Sequence, residues 1–248
     1  MLEAAGPEIH APLICLHPAP SSGLYFTTVM PLLNRGRTVV APDYPGYGGS
    51  DAAPEEPDIA DYAGSMLEFL DTAGFDSPVD VLGFHTGCLV GAEMALAHPD
   101  KVRRLILCDV PYFDKEQQAE LREKAAQPLG ITPELESLSA AWQFNIASRV
   151  EHVPLPRAFE LFAEHLRAGD GDYLGFAAAF SYDCEARFAE LDADVVVLAT
   201  QSGLHVPSEQ AARSIEGARF VDVPEVTTAV FEAGAAAITK RIIEALES

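Results

Sequence analysis

A histidine flanked by glycines is the clearest candidate for chemistry in this chain. Gly83-Phe84-His85-Thr86-Gly87 places small residues two positions either side of His85, the spacing of a nucleophile elbow. The apolar run Val79 to Leu82 before it reads as a buried strand, and a helical pattern begins at Thr86. Such a bend strains the backbone of its central residue, and a Cβ at either flanking position would clash. Serine, cysteine or aspartate is expected at the apex. An imidazole there has three readings: nucleophile forming an acyl-imidazole, general acid/base titrating near neutral pH, or unreactive pocket residue.

The elements that must position this bend alternate along the chain. Strand-like runs occur at Leu13 to Leu16, Thr38 to Val40, Val79 to Leu82, Leu105 to Asp109, Val195 to Ala199 and Arg219 to Val223. Helical patterns lie between them, one spanning Tyr25 to Leu33 and another capped by Asp58 and ended by Gly74. Residues 115–182 carry only helical periodicity, with helices predicted over Lys115 to Ala126, Pro133 to Val150, Pro156 to Arg167 and Tyr173 to Phe180. This pattern predicts an α/β fold: a mostly parallel central sheet flanked by helices, with an inserted all-helical cap. Core residues 1–110 and 185–248 would surround a cap at 111–184. Ligands bind such sheets at the carboxyl ends of the strands, where His17, Asp43, His85 and Asp109 fall.

Composition narrows the partners. With 248 residues the chain suffices for one sizeable core, and its net charge of −22 repels phosphate backbones and anionic membranes. The expected partner is a small-molecule substrate, with no nucleic acid and no membrane; homo-oligomerisation stays open. No apolar run approaches a bilayer span and the start lacks a basic n-region, so a cytoplasmic protein is expected. Cys15, Cys88, Cys108 and Cys184 lack C-x-x-C spacing and read as reduced core thiols, with no metal site.

Three segments in order carry a family resemblance. They are Ala41-Pro42-Asp43-x-Pro45-Gly46-x-Gly48-x-Ser50-Asp51, the strand, elbow and helix over 79–97, and Ala97-His98-Pro99-Asp100-Lys101-Val102-Arg103-Arg104-Leu105. Together they resemble the α/β-hydrolase superfamily, in a member with a helical cap, over nearly the whole chain. The resemblance implies a nucleophile, an acid and a histidine in that order. Those slots here hold His85, Gly203 and Thr228, so the usual serine triad cannot be assembled.

The resemblance also implies an oxyanion hole from the N–H groups of Ala19 and Thr86, with His17 a structural residue of the oxyanion loop. A working imidazole wants a carboxylate to orient it. Asp109 is the first candidate, against a role as a turn cap before Val110-Pro111. Asp183 is the second, against a role as a helix cap. His205, in the loop that usually supplies the acid, could be a second imidazole of the site or simply a solvent-exposed histidine. Trp142 and Tyr182 are the aromatic residues expected to line the pocket roof, although most cap aromatics at helical spacing are core.

These expectations describe a cofactor-free enzyme hydrolysing an ester or C–C bond in a small, largely apolar carbonyl compound. The alternatives are a lyase, isomerase or cyclase using His85 for proton transfer, and a catalytically inactive ligand-binding member of the fold.

Overall fold

The apolar runs become the strands of one parallel sheet in the computed structural model, which describes residues 8–130 and 132–248. The strands β1 (Leu13–Leu16), β2 (Val39–Val40), β3 (Val79–Phe84), β4 (Val102–Cys108), β5 (Val195–Thr200) and β6 (Arg219–Val223) lie in the order β2-β1-β3-β4-β5-β6. Every neighbouring pair is parallel. β1, β3 and β5 are buried along their whole length, because helices cover both faces, and this is why they read as continuous rather than alternating apolar runs. β6, at an edge, keeps partial exposure.

Helices α1 (Met30–Leu33), α2 (Ile59–Thr72) and α3 (Thr86–Ala97) follow β1, β2 and β3. The expected helix from Tyr25 is in fact a 3-10 turn, Gly23–Phe26, before the single turn of α1. Asp58 and Asp61 form a reciprocal capping box at the start of α2, worth about 1 kcal/mol. α2 and α3 share one core with the inner face of the sheet, whereas α1 packs in the opposite core.

Between β4 and β5 the described elements are all helical: α4 (Lys115–Ala125), α5 (Leu135–Trp142), α6 (Leu155–Arg167), α7 (Leu174–Ala179) and α8 (Cys184–Ala189). The long helix predicted to Val150 stops at Trp142 and widens into a π turn, Gln143–Ala147. Asn145 donates its side-chain N–H to the Ala141 carbonyl at 2.9 Å, and the Ser148 hydroxyl donates to Phe144 at 2.8 Å. Side chains that bond backbone carbonyls one turn back loosen and bend a helix.

A helix that periodicity missed, α9 (His205–Ser214), connects β5 to β6, and α10 (Ala235–Glu247) closes the chain against the α1 side of the sheet. All four cysteines are free and buried. No helix among the described residues is long and apolar enough to cross a membrane.

Candidate active site at the β3–α3 bend

β3 ends one residue before His85, and α3 begins one residue after it. His85 has φ 50° and ψ −117°, a region that costs a side-chain-bearing residue about 1–3 kcal/mol. The flanking glycines are dictated by space. A Cβ on Gly83 would lie 2.5 Å from the Gly87 carbonyl oxygen, and one on Gly87 would lie 2.0 Å from that of Leu16. The bend is tied down by His85 N–H donating to Cys108 O at 3.3 Å and Cys88 N–H donating to His85 O at 2.8 Å.

The His85 ring lies against Phe84, with centroids 4.0 Å apart. Burial pushes its pKa down to about 4, and the nearby Asp109 carboxylate opposes this only in part. The imidazole is therefore neutral at physiological pH, and it makes no hydrogen bond to any of the described residues. A neutral ring has a lone pair ready to accept a proton or to attack a carbonyl carbon.

The two expected oxyanion donors meet at this bend. Thr86 opens α3, so its N–H is one of those that a helix leaves without an intrahelical acceptor. The Ala19 N–H points at the Thr86 hydroxyl oxygen at 3.5 Å. His17 anchors the loop carrying Ala19: its Nδ1 lies 3.0 Å from Pro18 O and its Nε2 accepts the Tyr44 N–H at 3.1 Å. Its pKa falls to about 4, chiefly through burial, so the ring is a neutral brace with both nitrogens used. Asp43 braces the neighbouring loop by accepting N–H groups from Gly23 at 2.7 Å and Gly49 at 2.8 Å.

Asp109 directly follows β4 beside the bend, fully buried and at φ 52°. Its carboxylate is held from the β5 exit: Thr200 donates its N–H at 2.8 Å and its hydroxyl at 2.6 Å, and Ser202 donates its hydroxyl at 3.0 Å. Asp109 thus acts on His85 through space, whereas its hydrogen bonds go to Thr200 and Ser202. Thr200 and Ser202 were missed in the sequence, where the only cue was polar residues closing an apolar strand.

The remaining expected residues lie elsewhere. Asp183 is exposed, caps α8 by accepting the Ala186 N–H at 3.2 Å, and lies 3.7 Å from the Lys115 ammonium. His205 is the first residue of α9 rather than part of a loop, and its Nε2 is 3.0 Å from Asp222 Oδ1. Trp142 is 43% exposed and packs beside Phe159, itself exposed. The buried Tyr182 donates its hydroxyl to Glu93 on α3 at 2.9 Å.

An aromatic group that the sequence did not reveal surrounds the bend instead. Tyr25 stacks on Phe84 at 5.6 Å and 22°, and both meet Phe231 edge-on at 6.0 and 4.9 Å. The helical insertion reaches the same place. Arg157 on α6 donates to Glu232 at 2.8 Å and to the Leu24 carbonyl at 2.7 Å. Ala229, in the turn after β6, packs against the insertion's own small core. On α7, Gly175 N–H donates to the Tyr47 hydroxyl at 2.7 Å. Among the described residues no group of three or more His, Cys, Asp or Glu side chains could hold a metal ion.

With this geometry in view, a family model described as alpha/beta hydrolase fold matches residues 11–142. The chain is 37% identical over 103 residues to a fluoroacetate dehalogenase from Burkholderia sp, covering 40% of this chain and 34% of that protein. It is 34% identical over 110 residues to a haloalkane dehalogenase from Mycolicibacterium paratuberculosis, covering 42% and 35% respectively. The matched stretch spans about a third of the length of these curated relatives. The structure superposes on that of an enol-lactonase from Burkholderia xenovorans LB400 with a TM-score of 0.80 and 20% identity, covering 99% of this chain and 95% of that one, a likeness of fold.

Proposed function

Because this chain belongs to the alpha/beta hydrolase fold family, we propose that it is a hydrolase of small, largely apolar carbonyl compounds with His85 as its reactive group. One observation carries the reading: a neutral imidazole occupies the strained apex, next to the residue that opens α3 and the loop that carries Ala19. The helical insertion serves as the cap over this site.

The chemistry follows from that placement. A ring nitrogen of His85 attacks the substrate carbonyl, and the developing oxyanion takes the N–H groups of Thr86 and Ala19. To reach the second donor it replaces the Thr86 hydroxyl, whose 3.5 Å contact is weak. Collapse expels the alkoxide or carbanion, which takes its proton from water; the hydroxide so formed removes the ring N–H proton and leaves a neutral acyl-imidazole. Water then adds to the acyl carbon, releasing the acid and restoring the ring. Asp109 stabilises positive charge on the imidazole through space, without a hydrogen bond. A pKa near 4 makes the imidazole a weak nucleophile but a good leaving group, so the second half-reaction is the easier one. Aromatic Tyr25, Phe84 and Phe231 favour an apolar substrate body.

The test is turnover of short p-nitrophenyl esters with hydroxylamine present, since an adduct that breaks down faster than it forms must be trapped. The parent should yield the hydroxamate, and both hydroxamate and turnover should vanish in His85→Gln. Full activity of that variant on every ester cleaved by the parent would overturn the proposal. A second reading, ligand binding without turnover, is favoured by the engagement of both Asp109 oxygens away from the ring. Tight metabolite binding with no turnover and no adduct would select it. The same imidazole could instead move a proton in a lyase or isomerase step, which would show as solvent deuterium entering an unhydrolysed product.

A further inference from the structure

A cavity of about 340 Å³ lies in the insertion where α6 ends. Leu129, Leu138 and Leu166 line it together with His165, Gly169 and Asp170, and none of these residues belongs to the β3–α3 bend. The ring of His165 is fixed in place: its Nε2 lies 3.1 Å from Asp172 Oδ2, and Phe162 meets it edge-on at 6.3 Å. Asp172 is 4% exposed and also accepts the Leu129 N–H at 3.2 Å, while its carbonyl accepts the Tyr47 hydroxyl at 3.3 Å. The imidazole is thus braced both from another lining residue and from the core. Such a site is already formed before a ligand arrives, and its volume falls in the range of small-molecule sites, about 300–1,000 Å³.

We infer that this cavity binds a small primary amine in its protonated form, with the apolar body against the leucines and the ammonium at His165 and Asp170. Both polar side chains offered there are acceptors. The Asp172 carboxylate facing Nε2 holds the ring hydrogen on that nitrogen, which leaves Nδ1 of the neutral ring with a lone pair and no partner among the described residues. Asp170 is exposed and makes no ion pair with them, and no lysine or arginine among them lines the cavity. The carboxyl end of α6, close to Leu166 and Gly169, is the negative pole of that helix and favours a cation. An ammonium brings three donors and one positive charge, and the net charge of −22 draws cations toward the protein. A carboxylate in its place would face another carboxylate.

Isothermal titration calorimetry tests this with phenethylamine, phenethyl alcohol and phenylacetate, which share an aromatic body and differ in the polar group. At low salt the parent protein should bind the amine at least about tenfold more tightly than the alcohol, as expected for hydrogen bonds to a charged group, and phenylacetate least of all. Asp170→Asn should remove most of that preference, and His165→Gln should weaken amine binding. Leu138→Trp, which fills the cavity, should abolish it. Equal or undetectable binding of amine and alcohol by the parent overturns the inference. So does amine binding that persists at full strength in folded Asp170→Asn or Leu138→Trp protein, which would mark attraction to the acidic surface at large. His85→Gln should bind the amine as the parent does; loss of binding there would place the ligand at the bend and overturn the inference too.

Discussion

The Ala19 N–H points at the hydroxyl of Thr86, 3.5 Å away, so a donor expected to face a substrate oxygen is occupied at rest by the neighbour of His85. The contact joins the loop after β1 to the first turn of α3 beside His85. At that length it is a weak hydrogen bond and easily displaced.

Removing the hydroxyl is therefore the first prediction. Thr86→Val keeps the shape and the backbone N–H and deletes the acceptor. Ester turnover should change by no more than about threefold, within the small net value of one weak hydrogen bond. A loss of about a hundredfold or more would mean that the hydroxyl itself takes part in the reaction, as removal of an oxyanion donor costs. Steady-state kinetics on one p-nitrophenyl ester decides between the two.

The same loop is pressed from the other side by α7. A Cβ added at Gly175 would lie 2.5 Å from the Ala19 Cβ and 2.8 Å from the Tyr47 hydroxyl. Gly175→Ala must push α7 outward or move Ala19. Overpacking of this kind costs about 1–3 kcal/mol, which urea denaturation will measure. The kinetic signature should be a lower kcat with a smaller change in KM, since the role proposed for Ala19 is at the developing oxyanion.

The pH dependence has a definite sign. His85 and His17 both have folded pKa values near 4, below the ordinary 6.5, mainly because burial disfavours the charged ring. Their contribution to stability is complete above pH 6.5 and is lost as pH falls from there through 4, since the unfolded chain takes up the protons first. Activity should hold level to about pH 5 and fall with an apparent pKa near 4. A pH–rate profile bending at 6.5 instead would show that the imidazole is not buried during catalysis. Asp109→Asn removes the charge that raises the His85 pKa and should move the bend lower still.

The sheet and the bend were legible in the sequence for a physical reason. Strands covered on both faces must be apolar throughout, as at Val195–Thr200, and the bend admits only glycine at positions 83 and 87. The N-cap at Asp58 was equally plain, because a capping side chain acts within its own turn. What escaped depends on contacts distant in sequence. Tyr25, Phe84 and Phe231 form one wall from three separate loops and strands, and Asp109 finds its donors at the exit of β5. Helix α9 escaped because its buried residues are Ser208, Ala211 and Ala212, too small to give an apolar stripe. The expected imidazole–carboxylate pair could not be judged from spacing, since Thr200 and Ser202 compete for the same oxygens.

The final prediction concerns how the insertion is held. Glu232 receives Arg157 on one oxygen at 2.8 Å and the Thr28 hydroxyl on the other at 2.9 Å, while Arg157 also reaches the Leu24 carbonyl at 2.7 Å. One nearly buried pair thus joins α6 to the segment before α1 and to the turn after β6. Deleting Glu232 leaves the buried Arg157 with only the exposed Glu160, 3.2 Å away, at a cost of up to about 3–5 kcal/mol, whereas removing both partners is far milder. Glu232→Gln should therefore destabilise the protein more than the double variant Arg157→Met with Glu232→Gln, as urea denaturation will show. The single variant should also speed hydrogen exchange across Leu155–Arg167 more than across β3, because local opening follows the elements that lose their ties. Equal acceleration in both segments would mean that the pair supports the whole fold rather than the seating of the insertion.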